Sequence, residues 1–327
     1  MLLLACGRGI NPVIIGKIKA RKREYMKEIA EKNCRLCPRS CNVIRKEGIR
    51  GFCGEPDKIR ISRAALHMWE EPCISGEEGS GTVFFTGCNM RCVFCQNYRI
   101  SNGEVGKEIT EERLAAIFLE LQEQNANNIN LVTPTHFVPQ VIRALEAARR
   151  NGLMLPVVYN TSGYESVDTL KMLEGYVDIS LPDFKYLDTE HAKRYSGAGD
   201  YPEVAKAALA EMVRQTGTPQ FDERGMMKKG VIVRHLLLPG CLSDAKKIVH
   251  YLYQTYENKI YLSLMNQYIP LETLDCEKYP ELNRKVIRRA YDRLVDYAIE
   301  IGVEQAFIQE GDTAKESFIP SFQLEGV

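Results

Sequence analysis

The chain has 327 residues, 45% of them hydrophobic and 26% charged, with 43 basic side chains against 43 acidic ones. These ordinary globular proportions supply the core of one large α/β barrel or of two smaller domains. The even charge balance argues against a nucleic-acid-binding surface, and no apolar run approaches the length of a membrane helix.

Met1 to Cys6 only faintly imitates a lipoprotein cleavage site; it lacks a basic lead and its apolar run is too short, so it reads as an ordinary start. Residues 17–32 are rich in helix formers and read as an exposed basic helix. Next come Cys34, Cys37, Cys41 and Cys53, spaced C-x2-C-x3-C-x11-C, with Gly48, Gly51 and Gly54 between and behind them. Of the eleven cysteines, seven fall in two short-spaced groups, which favours metal binding in a reducing, cytoplasmic setting over disulfides. Four thiolates close a tetrahedral site, and soft sulfur suits structural zinc and an auxiliary iron–sulfur cluster equally. Residues 59–81 read as a link to the core, with His67 and Trp69 as packing residues and Cys73 standing alone.

From there strands and helices alternate. Strands are expected at 82–86, 129–133, 155–159, 177–181, 231–238 and 260–264, with a short last one at 304–308. Helices are expected at 110–121 (capped by Thr110, with Leu114, Ile117, Phe118 and Leu121 on one stripe), 138–150, 167–173, 189–195, 202–216, from Ser243, and at 281–301. This alternation predicts a parallel sheet curled into a six-stranded partial (β/α) barrel of the TIM type. Two parts follow: a helical and cysteine-rich extension over 1–75 and the barrel over 76–327.

The first strand runs into Cys88-Asn-Met-Arg-Cys92-Val-Phe94-Cys95, a C-x3-C-x2-C loop. Three thiolates so close reach three corners of an iron–sulfur cube and leave one iron open. Structural zinc would want a fourth ligand, and Cys73 and Cys6 are poorly placed for it. The later strand ends read Thr133-Pro-Thr135-His136, Asn160-Thr-Ser-Gly163, Asp183-Phe-Lys185, Arg234-His235 and Asn266-Gln267, a polar series where barrel chemistry collects. His136 reads as a structural histidine or as a proton donor. Gly217–Gly230 reads as a hairpin or as a flap over the site, and its two methionines as exposed.

The cysteine loop and its strand resemble the radical S-adenosylmethionine (SAM) superfamily. The order of strand ends is similar to that of the enzymes that activate glycyl-radical enzymes such as pyruvate formate-lyase, and closer still to uncharacterised relatives with an N-terminal cysteine cluster. The resemblance implies a [4Fe–4S] cluster on Cys88, Cys92 and Cys95 whose open iron takes SAM, with Phe94 near the adenine. It implies that Asp183, Lys185 and Arg234, with Asn160, Thr133 and Thr135, surround the rest of SAM. Reductive cleavage would then yield a 5′-deoxyadenosyl radical that takes hydrogen from a glycine of a partner enzyme, or else from a peptide or small molecule. A low-potential electron donor is the other expected partner. The family's glycine–glycine–glutamate at the second strand end is replaced here by Thr133–His136. From another class, a non-catalytic electron-transfer protein with iron–sulfur or zinc sites has the same cysteines.

Overall fold

Short β-prone runs separated by amphipathic helices bury themselves most simply as a parallel sheet with helices on its outer face. In the computed structural model, which describes residues 33–309, 320 and 322–327, they do so in one ten-stranded sheet. The basic helix expected over 17–32, and Cys6, lie outside the described residues. The strands are β1 (Arg60–His67), β2 (Ser80–Phe85), β3 (Lys107–Glu108), β4 (Ile129–Val132), β5 (Val157–Thr161), β6 (Ile179–Pro182), β7 (Gln220–Phe221), β8 (Met227–Leu236), β9 (Tyr261–Met265) and β10 (Ala306–Ile308).

Strands β2, β4, β5, β6, β8, β9 and β10 are parallel neighbours in chain order. An order that never reverses has no switch point, so the sheet curls around one inner face as a partial barrel instead of opening into a doubly wound sheet. Alternation along the strands sorts the two faces. Val231, Val233, Leu262 and Leu264 pack outward with the helices, while Val158, Ile179, Leu181 and Ile232 point into the barrel. The helices are α1 (Glu111–Glu123), α2 (Val138–Arg150), α3 (Val167–Leu173), α4 (Thr189–Ser196), α5 (Tyr201–Thr216), α6 (Leu242–Tyr256) and α7 (Arg288–Glu300). Thr110 caps α1 as expected, its hydroxyl accepting from the Arg113 N–H.

Three expectations change. Residues 60–67, read as part of a link, form β1, antiparallel to β2; its bulge between Ile61 and Arg63 breaks the two-residue alternation that marks a strand. After β1 a helical turn, Pro72–Ser75, plugs the N-terminal end of the barrel with Ile74 among Val158, Ile179, Leu181 and Ile232. The long helix expected over 281–301 starts only at Arg288, because Pro280–Leu282 forms a separate turn whose Leu282 carbonyl accepts from Tyr268. Within Gly217–Gly230, β7 and β8 form a plain hairpin and both methionines, Met226 and Met227, are buried. Arg224 at its tip bonds Glu78 and Asn127 at the N-terminal ends of the strands, so the hairpin lies at the far end from the cysteine loop and forms no flap over it.

Residues 33–59 dock on the C-terminal ends of β2 and β4. Arg45, 1% exposed, reaches under them and donates to the carbonyls of Glu55, Pro56 and His136. Replacing it by the similarly long Met should lower stability by roughly 3 kcal/mol, since three buried acceptors lose their donor at about 1–3 kcal/mol each with partial relaxation. Urea unfolding of Arg45→Met checks this; an unchanged midpoint contradicts the docking role.

Candidate active site

The cysteine loop leaves the end of β2 through Gly87, whose φ is +78°. A Cβ there would lie 2.7 Å from the Cys53 carbonyl and strike the Glu55 side chain, so only glycine admits the N-terminal segment this close. The loop is held from several sides. Gly87 N–H donates to Ile100 O (2.8 Å), Val93 N–H to Tyr195 O (2.9 Å), and buried Asn89 donates its side-chain amide to Tyr164 O (2.7 Å). Two donors point at sulfur: Met90 N–H at Cys88 Sγ (3.3 Å) and Ser196 Oγ at Cys92 Sγ (3.0 Å). Burial, then the charge of neighbouring thiols, raises the pKa of Cys88 and pushes Cys95 up to about 12. The three thiols therefore neighbour one another, and cationic metal is what would ionise them together. Among the described residues no group of three or more His, Cys, Asp or Glu is drawn tightly enough to hold a single ion. Phe94 packs beneath the loop, edge-on to Tyr186 and Tyr195 at 6.4 and 6.5 Å.

Below the loop a cavity of about 490 Å³ occupies the barrel, lined by Gln96 and Asn97 at the loop end, by Glu70, Asn160 and Arg234 deeper in, and by the exposed Trp69. Arg234, on the inward face of β8, is its centre. Its guanidinium donates to Asp183 Oδ1 (3.0 Å), Glu70 Oε2 (3.2 Å) and Asn160 Oδ1 (2.6 Å). Lys185 Nζ donates to the other Asp183 oxygen at 2.6 Å. Burial opposes all of these charges, but Lys185 and Arg234 hold the Asp183 pKa below the ordinary carboxylate value. At Lys185 and Arg234 burial is the largest single effect, but Asp183 with the other acidic neighbours, Cys92 and Tyr201 at Lys185 and Glu70 and Glu71 at Arg234, together outweighs it and raises both. Four of the expected residues are thus brought together: Asn160, Asp183, Lys185 and Arg234.

The second strand end divides. Thr133 stands beside Asn160, its N–H donating to Asn160 O (2.9 Å), in the left-handed region with φ 58°, a costly conformation for a β-branched residue. Thr135 instead turns away under the N-terminal segment, 1% exposed, and gives its hydroxyl to Glu165 at 2.7 Å. Tyr159 and Thr161 donate to the same carboxylate, whose pKa burial lifts to about 7 against these bonds. His136 is structural: its ring is buried, with Nε2 2.6 Å from the Thr86 carbonyl, locking the end of β4 to that of β2. Sequence reasoning missed Glu70 and Glu71, which arrive from an unrecognised strand and plug; only their placement beside Trp69 and before Pro72 could have hinted at an ordered turn.

Residues 82–225 match the Radical SAM superfamily model. These residues form a radical SAM domain. It is 29% identical over 293 residues to an uncharacterized protein of Methanocaldococcus jannaschii, covering 86% of this chain and 79% of that one. It is 26% identical over 208 residues to the pyruvate formate-lyase-activating enzyme of Clostridium pasteurianum, covering 62% of this chain and 79% of that enzyme. Among solved structures, Streptococcus suis SuiB bound to precursor peptide SuiA aligns over 69% of this chain and 47% of its own, at 14% identity and a TM-score of 0.45. No helix among the described residues is long and apolar enough to cross a membrane.

Radical SAM proteins use a [4Fe–4S] cluster and SAM, and the loop fits the cluster chemically. It offers three thiols without competing carboxylates, backbone and hydroxyl donors aimed at sulfur, and a polar cavity directly below. The N-terminal cysteines adjoin it. Arg39 crosses the gap, donating to Asn89 O of the loop (2.9 Å) and to Ser196 O and Gly197 O (3.0 and 2.6 Å), while its guanidinium covers the Phe52 ring at 4.0 Å. Cys37 and Cys53 are buried; desolvation raises both pKa values, Cys37 to about 12, and Cys34 adds repulsion to each. Cys41 Sγ accepts from the Phe52 N–H at 3.2 Å.

Burial, with Arg45 adding repulsion, depresses the pKa of His136 from 6.5 to about 3. Between these values the unfolded chain binds the proton and the folded one does not, so stability falls as pH falls through this window. Relative to His136→Gln, wild type should lose urea resistance steadily from pH 7 to pH 4. A difference that stays constant with pH contradicts this.

Proposed function

We propose that this radical SAM protein cleaves SAM to generate a radical that abstracts hydrogen from a peptide or protein partner, with a glycine of a glycyl-radical enzyme as the first candidate. The observation that carries the reading is one cavity lined by Gln96 and Asn97 of the cysteine loop and by Asn160 and Arg234, with Asp183 bonded to Arg234 and Lys185 bonded to Asp183. The 26% identical activating enzyme supports the choice of partner. When bound on Cys88, Cys92 and Cys95, the cluster supplies the single electron that breaks the sulfonium–carbon bond.

The chain's own residues position and shield. Asp183 is a fixed anion for the ribose hydroxyls or the ammonium of SAM, and Lys185 and Arg234 are donors for its carboxylate or hydroxyls. Asn160 lines the same cavity, Thr133 stands beside it, and Phe94 buttresses the loop where the adenine would lie. Thr135, committed to Glu165, supports the wall from behind. The partial barrel with its plugged floor limits the access of water to the radical. Cys34, Cys37, Cys41 and Cys53 form a second metal site in this reading, zinc or cluster, braced against the first by Arg39. A low-potential donor protein delivers the electron from outside.

After anaerobic reconstitution and reduction, wild type should form 5′-deoxyadenosine from SAM, and Cys92→Ala should form none while keeping its fold. Product from Cys92→Ala contradicts the cluster assignment. Arg234→Lys should weaken SAM binding roughly tenfold, because unmet buried acceptors cost about 1–3 kcal/mol and ~1.4 kcal/mol is a factor of ten; unchanged affinity in equilibrium dialysis removes Arg234 from the SAM site. A peptide carrying Arg-Val-Ser-Gly-Tyr should raise 5′-deoxyadenosine formation and give a glycyl signal in electron paramagnetic resonance. SAM cleavage indifferent to peptides and partner proteins counts against the activating role.

A further inference from the structure

The cavity has a second end. The Pro72–Ser75 plug holds Glu70 and Glu71 beneath the SAM wall, against inward-facing residues of four strands: Asn130, Asn160, Arg234 and Ser263. Glu70 is saturated: Oε1 accepts from Asn130 (3.1 Å) and Asn160 (3.2 Å), and Oε2 from Arg234 (3.2 Å). Glu71 is not. Only 7% exposed and lining the cavity, it leaves Oε2 without any hydrogen-bond partner among the described residues. Fully buried Asn130, whose amide N–H₂ is spent on Glu70, likewise leaves Oδ1 unpartnered. Both orphans are acceptors, so what they lack is a donor.

Charge points the same way. Three carboxylates, Glu70, Glu71 and Asp183, surround two cations that pair with them, Arg234 and Lys185, while nearby Arg63 pairs with Glu325. His67, which also lines the cavity, adds no charge at neutral pH, since burial and then Arg63 and Arg234 lower its pKa to about 4. One buried carboxylate therefore lacks a counter-charge, and burial accordingly raises the pKa of both Glu70 and Glu71.

We propose that this floor binds a cationic nitrogen, an ammonium or a guanidinium, belonging to the molecule or side chain from which hydrogen is taken, with Glu71 as its counter-charge. The proposal rests on the SAM reading above and specifies the substrate of that site. A cationic guest supplies N–H donors to Glu71 Oε2, restores neutrality, and is anchored below SAM so that its neighbouring carbon faces the radical. SAM also carries an ammonium, but a cluster on Cys88, Cys92 and Cys95 would hold it at the loop end, where Gln96 and Asn97 line the cavity.

Trp69 is the only tryptophan and lines this cavity next to Glu70, so its fluorescence reports guests directly. The reconstituted protein is titrated with n-butylammonium, n-butylguanidinium and neutral n-butanol, with and without saturating SAM. At least one cation should bind saturably and at least tenfold more tightly than butanol. Glu71→Gln should abolish that preference without altering the weak butanol response, and SAM should leave the cation titration in place. Equal response to butanol and both cations in wild type, or an intact preference in Glu71→Gln, overturns the proposal. Displacement of the cation by SAM overturns the substrate assignment and gives the floor to SAM's own ammonium. The 5′-deoxyadenosine yield of the same preparation separates the two levels: cleavage without cation preference sinks only this inference, whereas no cleavage sinks the SAM reading itself.

Discussion

A single buried guanidinium organises the interior. Arg234 leaves β8 at the point where its backbone bridges to Asp183, and its side chain joins the end of β6, the inward face of β5 and the plug that follows β1. Such a charge is tolerable inside a barrel only with several oxygen acceptors around it, because desolvation otherwise exceeds any single pairing. Two of the acceptors it gathers, Glu70 and Asn160, line the cavity, with Asp183 as its third partner. Removing any one of them would leave the others miscompensated, which ties the strand ends and the plug into one electrostatic unit.

The second organising contact is steric. Gly87 and Gly54 meet where the cysteine-rich segment lies on the cluster loop: a Cβ on Gly87 would approach the Cys53 carbonyl, and one on Gly54 would lie 2.5 Å from the Arg91 guanidinium. With Arg39 bridging the remaining gap, the two sets of cysteines share one rigid support. Their closeness gives the N-terminal segment a structural task whatever it binds, since it buries the ends of β2 and β4 and the Glu165 carboxylate with its three hydroxyl donors.

Much of this was legible in the sequence, for physical reasons. The parallel strands are short apolar runs cut by helix signals, so their order and the polar strand ends could be read directly. Asp183, Lys185, Arg234 and Asn160 follow from standing at those ends. What escaped lies where local pattern and tertiary role part company. β1 is disguised by its bulge, and the plug is a single helical turn too short to show periodicity. Glu70 and Glu71 look like surface carboxylates because their burial depends on a cation, Arg234, more than 160 positions away. Thr135 and Thr133, two positions apart, take opposite sides of the wall because the chain enters a 3-10 turn at Thr135, which spacing alone does not reveal.

The central claim is that the loop of Cys88, Cys92 and Cys95 presents one cluster iron to SAM inside this cavity. Electron paramagnetic resonance of the reconstituted, reduced protein tests it most directly. The account predicts a [4Fe–4S]⁺ signal whose g-values shift when SAM is added, and a smaller shift at the same SAM concentration in Arg234→Lys. A reduced cluster whose signal is indifferent to saturating SAM would contradict it.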